Sequence, residues 1–345
     1  MHMPRKTVAP RGFGQVLIVT GFLAVLLIVF QISNGRFLSS FNVANLLRQI
    51  APLIIIGIGQ SYVLITGNID LSIGSNAGMS CMITASLMVL HGTNPWLAAL
   101  IAIVACLVAG FINGVLVANF KLPPFIATLG TMTIARGIAM LAYGGRNTPS
   151  IETGLAQHNN LSQAAVDAYQ SKAQAFRSFF YSGKLNLGFV NLFYGFIIAI
   201  VLLGIFYFVL SATSTGRHIY AIGSNKEAAK MSGVSVSKAT ITAYLVSGFC
   251  AGIVGLMLCA NSGQGDQAAG SGYELFAVAA SVIGGVSTLG GQGILLGTFV
   301  GASIWATLSN GLSLAHVEVA YQNVIVGIIV VVSVLIDVLI RQRKR

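Results

Sequence analysis

The sequence predicts an all-α polytopic membrane protein with about ten transmembrane helices. Only 8% of its 345 residues are charged and 55% are hydrophobic. A soluble domain carries about 25% charged residues, so this chain has too few to cover a globular surface. Apolar runs of about 20 residues, the length that crosses a bilayer, recur from end to end. Forty glycines suit helices packed closely in lipid, where small residues let backbones approach. The whole chain, 1–345, reads as one transmembrane domain.

With that ruler, spans fall near 14–33, 43–66, 72–91, 96–118, 124–143, 188–211, 239–261, 273–289, 294–314 and 321–340. The first follows Arg5, Lys6 and Arg11. Its apolar run from about Val16 to Ile32 exceeds a signal-peptide core, and no clear small-x-small cleavage site follows, so it reads as a retained span. The eighth is short and ends in Gly284-Gly285, which predicts a broken or partly re-entrant segment.

Ten crossings place both termini on one side. That side holds Arg5, Lys6, Arg11, Lys121, Arg217, Lys226, Lys230, Lys238 and the basic tail from Arg341 to Arg345. The positive-inside rule makes it cytoplasmic. The same clustering accounts for the net charge of +11 without nucleic acid. All four cysteines (Cys81, Cys106, Cys250 and Cys259) lie in apolar runs without a C-x-x-C, so no zinc or redox site is indicated.

Two segments between spans stand out. The first is the cytoplasmic segment 212–238, a polar, basic island. Ser224 and Glu227 are spaced as a capping box. Lys226, Ala228, Ala229, Lys230 and Met231 favour helix, and Gly233 supplies a stop. A two-turn helix has no core of its own, so it is expected to dock on a cytoplasmic partner. The second is the extracytoplasmic segment 144–187, which opens with turn chemistry at Gly144-Gly145-Arg146-Asn147. A helix is expected from about Leu161 to Tyr181, with Val166, Tyr169, Ala173, Phe176 and Phe180 on one stripe. The stripe fits a helix lying on the membrane surface or an element that meets an external partner.

Ionisable and strongly polar residues within spans are costly and become candidate pathway residues. These are Gln60, Asn68, Asp70, Ser72, Arg136 and Glu274. Capping of the third span accounts for Asp70 or Ser72, and first-turn dipole compensation accounts for Glu274. Gln60 sits inside span two and needs a partner there. Arg136 should face protein or water, and pairing with an acid would satisfy it. Asn113, Asn119, Asn261, Asn310 and Asn323 fit interhelical hydrogen bonding. Asn113-Gly114 and Asn310-Gly311 each fall late in a Gly-rich span and hint at an internal repeat of the kind transporters use.

No P-loop, H-E-x-x-H or G-x-S-x-G is present. The chain is therefore not read as an enzyme, and no cofactor or metal is assigned to it.

Several ordered motifs carry a resemblance. Gly67-Asn68-Ile69-Asp70-Leu71-Ser72-Ile73-Gly74-Ser75 resembles the G-G-I-D-L-S-V-G-S signature of ribose-type ABC sugar permeases. Thr215 to Ala229 looks like their cytoplasmic motif, which ends in G-x-N-x-x-A-A. Gly272-Tyr273-Glu274-Leu275, Ile283-Gly284-Gly285-Val286-Ser287 and Gly290-Gly291-Gln292-Gly293 match the C-terminal half in order. The likeness covers roughly residues 40 to 340. In three places the chain departs from the family: Asn68 replaces a usual Gly, Gly59-Gln60-Ser61 stands where many members have Gly-Met-Thr, and the outer segment 144–187 is long.

The resemblance implies the type II ABC importer permease architecture in the bacterial inner membrane. It implies a pair of permeases, either a homodimer or a pairing with a related chain, held among membrane lipids. It also implies a separate cytoplasmic ABC ATPase that binds ATP and Mg, and an extracytoplasmic solute-binding protein. The coupling helix would then comprise Ser224, Asn225, Lys226, Glu227, Ala228, Ala229 and Gly233, with Arg217 before it. The default solute is a monosaccharide such as ribose. Two other readings compete: an ion-coupled secondary transporter of a small polar solute, and a non-transporting scaffold.

Overall fold

The computed structural model describes residues 13–158, 162–188 and 190–318, with scattered positions between 320 and 335. Five long helices come first: α1 (Phe13–Ser33), α2 (Ser40–Ile65), α3 (Ile73–His91), α4 (Pro95–Ala118) and α5 (Pro124–Leu141). Short α6 (Gly154–His158) and α7 (Gln163–Arg177) follow, then one π-helical turn at Ser178–Ser182. A hairpin of β1 (Lys184–Asn186) and β2 (Asn191–Phe193) leads into α8 (Tyr194–Ala212). Helices α9 (Ser214–Ser224) and α10 (Lys226–Met231) precede α11 (Val236–Ser262), α12 (Tyr273–Ile283) and α13 (Leu295–Leu314).

Among the described residues eight helices are long and apolar enough to span: α1 to α5, α8, α11 and α13. The span expected at 188–211 starts later, at Tyr194, because the β-hairpin occupies its first residues. The eighth span is broken, as its length and glycines predict. Helix α12 ends at Ile283, and the chain continues to Ile294 without regular structure. The span expected at 321–340 has only scattered described positions, all helical, and otherwise lies outside the described set. So do Asn323, Arg5, Lys6, Arg11 and the basic tail.

The two halves repeat one arrangement. The long helix of each half packs on the shorter pair of the other: α2 on α12 and α13, α11 on α3 and α4. Helix α2 ends at Ile65 beside α9, whereas α11 starts just after α10, so the two run in opposite directions. Each is followed by a glycine with positive φ, Gly67 (79°) or Gly263 (68°). Three residues later each half has an aspartate, and its Oδ1 accepts the N–H two residues on. These pairs are Asp70 with Ser72 at 2.8 Å and Asp266 with Ala268 at 2.9 Å. The sequence hint rested on Asn-Gly pairs; the stronger signal was this shared Gly-x-x-Asp after each long helix.

The outer segment corrects an expectation. Tyr169, Ala173, Phe176 and Phe180 are buried, and the stripe they form is covered by the protein's own chain. Tyr169 donates its hydroxyl to the Met88 carbonyl at 2.9 Å. Trp96 at the start of α4 meets Phe176 and Phe179 edge-on. The helix thus packs down on the ends of α3 and α4 and does not present its apolar face to lipid or to a partner. Arg177 adds an ion pair to Glu152 and a hydrogen bond to the Ala260 carbonyl.

Candidate functional site

The connections that follow α2 and α11 enter the bundle, and they assemble most of the predicted polar residues. Asp70 is fully buried. Its Oδ1 accepts the Ser72 backbone N–H and the Ser72 hydroxyl (2.6 Å), and Oδ2 accepts the Ser247 hydroxyl of α11 (2.6 Å). Ser72 Oγ then accepts amide N–H bonds from Asn76 (3.1 Å) and Asn113 (2.9 Å). Asn113 Oδ1 accepts from Thr131 of α5 at 2.8 Å. Tyr244 donates to the Ile69 carbonyl at 3.0 Å. This network ties α3, α4, α5 and α11 to one carboxylate. A buried charge is tolerated only when it is paired or hydrogen-bonded, and donated bonds to a carboxylate are the strong kind.

The side-chain cap expected at the head of α3 is absent: Ser72, the residue before the helix, makes no cap bond, and Asp70 accepts the N–H of Ser72 itself. The sequence did not single out Ser247, Tyr244 or Thr131. Each is an ordinary polar residue in an apolar helix, and only tertiary packing gives it a role.

The 263–272 connection runs back along α3. Gly74 and Gly78, one turn apart, let it lie on the helix. A Cβ at Gly78 would meet the Ala269 carbonyl and Arg136, and one at Gly74 would meet Gly270 and Glu274. Arg136 donates to the carbonyls of Gln267 (3.1 Å) and Ala269 (2.7 Å). It thus satisfies irregular backbone inside the bundle, which such backbone requires, and faces protein as expected, with carbonyls as its partners. Thr148 and Asn147 complete the support by accepting the N–H groups of Gly265 (2.7 Å) and Gln267 (3.0 Å). Glu274 sits in the first turn of α12, with Oε2 buried and unpartnered.

Gln60 lies apart from this network. It is fully buried, and neither amide atom has a partner. The next residue, Ser61, bonds Ser281 (3.0 Å) and Thr298 (2.8 Å), joining α2, α12 and α13. Asn68 donates to Thr66 at 2.7 Å within its own turn.

The basic island 212–238 folds as two helices where one had been expected. Helix α9 is wedged into the bundle end: Gly216, Ile219 and Ile222 are buried, and Tyr220 donates to the Gly293 carbonyl at 2.6 Å. Burial pushes the Tyr220 phenol up to about 12. The capping box is corrected. Ser224 ends α9 and donates back to Tyr220, while Asn225 caps α10 by accepting the Ala228 N–H at 2.9 Å. Asn225 wins because its extended backbone (φ −159°, ψ 107°) suits a cap, whereas Ser224 is still helical. Glu227 thereby becomes a first-turn acid. Gly233, at φ 81°, provides the expected stop.

Helix α10 projects from the end of the bundle. Ala229 is buried, while Lys226, Glu227, Ala228 and Lys230 are exposed and Met231 is 90% exposed. Arg217 is exposed on α9.

A many-helix bundle whose connections re-enter it, with a capped helix standing out at one end, defines a polytopic membrane permease. The chain belongs to the family whose model is described as "Branched-chain amino acid transport system / permease component", which matches residues 42–334. Within it the chain is a ribose-type monosaccharide ABC permease, as its relatives indicate. It is 36% identical over 315 residues to the ribose import permease protein RbsC of Bacillus subtilis (strain 168), covering 91% of this chain and 90% of that one. It is 33% identical over 320 residues to the D-allose transport system permease protein AlsC of Escherichia coli (strain K12), covering 92% and 90%. It is 32% identical over 321 residues to the fructose import permease protein FrcC of Rhizobium meliloti, covering 93% and 84%. No solved structure matches the chain.

Permeases of this family are not enzymes; ATP hydrolysis occurs on a separate ATPase subunit, and a binding protein is the other partner class. The chain is a multi-pass inner-membrane protein.

Proposed function

We propose that the chain is the translocating subunit of a monosaccharide importer, moving its solute by alternating access driven by a separate ABC ATPase. The projecting α10 carries this reading. It is capped at both ends and anchored through Ala229, and it exposes Met231 beside Lys230, with Lys226 one turn further back. An exposed apolar side chain flanked by cations suits insertion into a groove with an apolar floor and acidic rim. Arg217 adds charge to the same end of the bundle.

In this reading both termini and α9–α10 are cytoplasmic, and the segment 144–187 faces outward. Two permeases pair, as a homodimer or with a related chain. ATP and Mg bind only the ATPase, and an extracytoplasmic solute-binding protein delivers the sugar. Relatives named for ribose, allose, fructose and xylose transport make a pentose or hexose the expected cargo. Asp70, Ser72 and Asn68 hold the architecture of the pathway. Gln60, Arg136 and Glu274 sit where α2, the 263–272 connection and α12 would move.

The test is reconstitution of the permease with its ATPase and binding protein in proteoliposomes. Sugar uptake should require ATP inside the ATPase-bearing compartment. Ala229→Pro, which removes the N–H that bonds the Asn225 carbonyl and costs about 3 kcal/mol in a helix, and Met231→Asp should both abolish uptake while insertion persists. Uptake driven by an ion gradient through the chain alone would establish the secondary-transporter reading instead.

A further inference from the structure

At the end of the bundle opposite α9 and α10 the chain forms an open cavity of about 630 Å³. That falls within the range of small-molecule sites, roughly 300–1,000 Å³. It lies between the first half of α2, the 178–196 segment, and parts of α11, α12 and α13. None of the motifs that carry the family resemblance explains it, apart from Tyr273. We infer that this cavity is a low-affinity binding site, within a single permease chain, for an uncharged, hydroxyl-rich ring such as a pentose or hexose. The inference deepens the importer reading and rests on it for the outward-facing direction of the cavity.

The chemistry of the walls supports this. One side is aromatic: Tyr273, Phe276 and Trp305 all line the cavity, with Phe276 centred 5.5 Å from Tyr273 and 4.8 Å from Trp305. Flat aromatic faces suit the C–H face of a sugar ring. The other lining residues offer amides and a guanidinium. Asn42 donates to Asn310 at 2.9 Å, and both line the cavity with Asn45, Gln49 and Asn261. Planar amides present a donor and an acceptor side by side, which matches neighbouring hydroxyls that each donate and accept.

Arg48 is the most specific feature. Its guanidinium carbon lies 3.6 Å from the centre of the Phe193 ring and 5.3 Å from that of Tyr181. Its Nε is buried without a partner. Two π faces already compensate the cation, so its charge favours a neutral hydroxyl or ring oxygen over an anion. Among the described residues no aspartate or glutamate lines the cavity, which Arg36 also lines, so a cationic ligand finds no counter-charge there.

The long 144–193 region gains a purpose from this. Its packed helix and π-helical turn set Phe180 and Tyr181, and its β-hairpin sets Phe193, as one wall of the cavity. The wall can hold that position because the stripe of α7 is buried on the rest of the protein.

The experiment uses the full chain in nanodiscs without ATPase or binding protein, and saturation-transfer NMR with D-ribose, D-allose, D-xylose, D-fructose and D-gluconate. At least one neutral sugar should show transfer, competed by the same sugar unlabelled. Two changes act by different means: Asn45→Leu with Gln49→Leu strips hydrogen-bond partners, and Ser309→Phe fills the space. Each should weaken transfer about tenfold, the effect of one or two lost hydrogen bonds. Absence of transfer from all four neutral sugars would overturn the site. So would equal transfer in both variants, and gluconate giving the strongest signal would overturn the ligand class.

The complete importer separates this from the importer reading. ATP-dependent uptake with an unchanged KM in both variants would sink the cavity and leave the importer standing. Sugar binding to the cavity in a chain that never supports ATP-dependent uptake would do the reverse.

Discussion

Replacing Asp70 by Ala should be among the most damaging single substitutions in the bundle. The carboxylate accepts three hydrogen bonds, from the Ser72 N–H, the Ser72 hydroxyl and the Ser247 hydroxyl, at 2.6 to 2.8 Å. Removing it leaves those donors in a site with no exposure to solvent. Each unmet buried donor costs about 1–3 kcal/mol. Side-chain bonds in membrane proteins average only about 0.6 kcal/mol, because the hydroxyls can turn to helix carbonyls. The backbone N–H of Ser72 has no such freedom. Together these give about 2–4 kcal/mol for Asp70→Ala and about 1 kcal/mol or less for Ser247→Ala. Asp70→Asn keeps an acceptor and removes a buried charge, so it should cost less than Asp70→Ala.

The four cysteines supply the assay, since Cys81, Cys106, Cys250 and Cys259 are all buried and free. A thiol-reactive fluorophore will therefore report thermal unfolding of the purified chain. Asp70→Ala should melt on the order of 5 °C below wild type, Ser247→Ala and Asp70→Asn much closer to it. A wild-type melt for Asp70→Ala, or a larger loss for Ser247→Ala than for Asp70→Ala, would refute the view that this carboxylate organises four helices.

Three further outcomes are expected. Asn225→Ala removes the α10 cap and should cost about 1 kcal/mol locally, seen as faster amide hydrogen exchange over 226–231, whereas Ser224→Ala should leave that exchange unchanged. Arg136→Lys replaces a planar fork with a point donor, so one of the Gln267 and Ala269 carbonyls loses its partner. Limited proteolysis should then cut within 263–272 more readily than in wild type. Gln60→Leu removes two buried amide atoms that have no partner, each costing about 1–3 kcal/mol when unsatisfied. The variant should melt at or above wild type, and a fall in transport despite that stability would place the amide in the moving pathway.

Much of this protein is written in one dimension. Hydropathy and length locate eight of the spans to within a few residues, because a bilayer imposes a minimum apolar length wherever a helix crosses. The broken eighth span is legible from its shortness and from Gly284-Gly285. The α10 stop is legible in Gly233, since αL backbone favours glycine. The family, too, is readable from motifs in order. What escaped the sequence depends on which faces meet. Ser224 and Asn225 are both good caps by composition, and only the path of α9 decides between them. The stripe from Val166 to Phe180 specifies an interface but cannot name its partner, and packing supplied α3 and α4. Arg136 could equally have met an acid or a carbonyl. The 263–272 connection became its partner because Gly74 and Gly78 let irregular backbone approach α3, leaving carbonyls that need a donor. The cavity at Arg48 is the clearest case. Its walls come from segments more than 250 residues apart, such as Asn42 and Asn310, so no local pattern encodes it. Sequence determined where helices cross and which family they serve; the tertiary structure decided which polar groups find each other, because hydrogen bonds inside a bundle are made between helices and not along them.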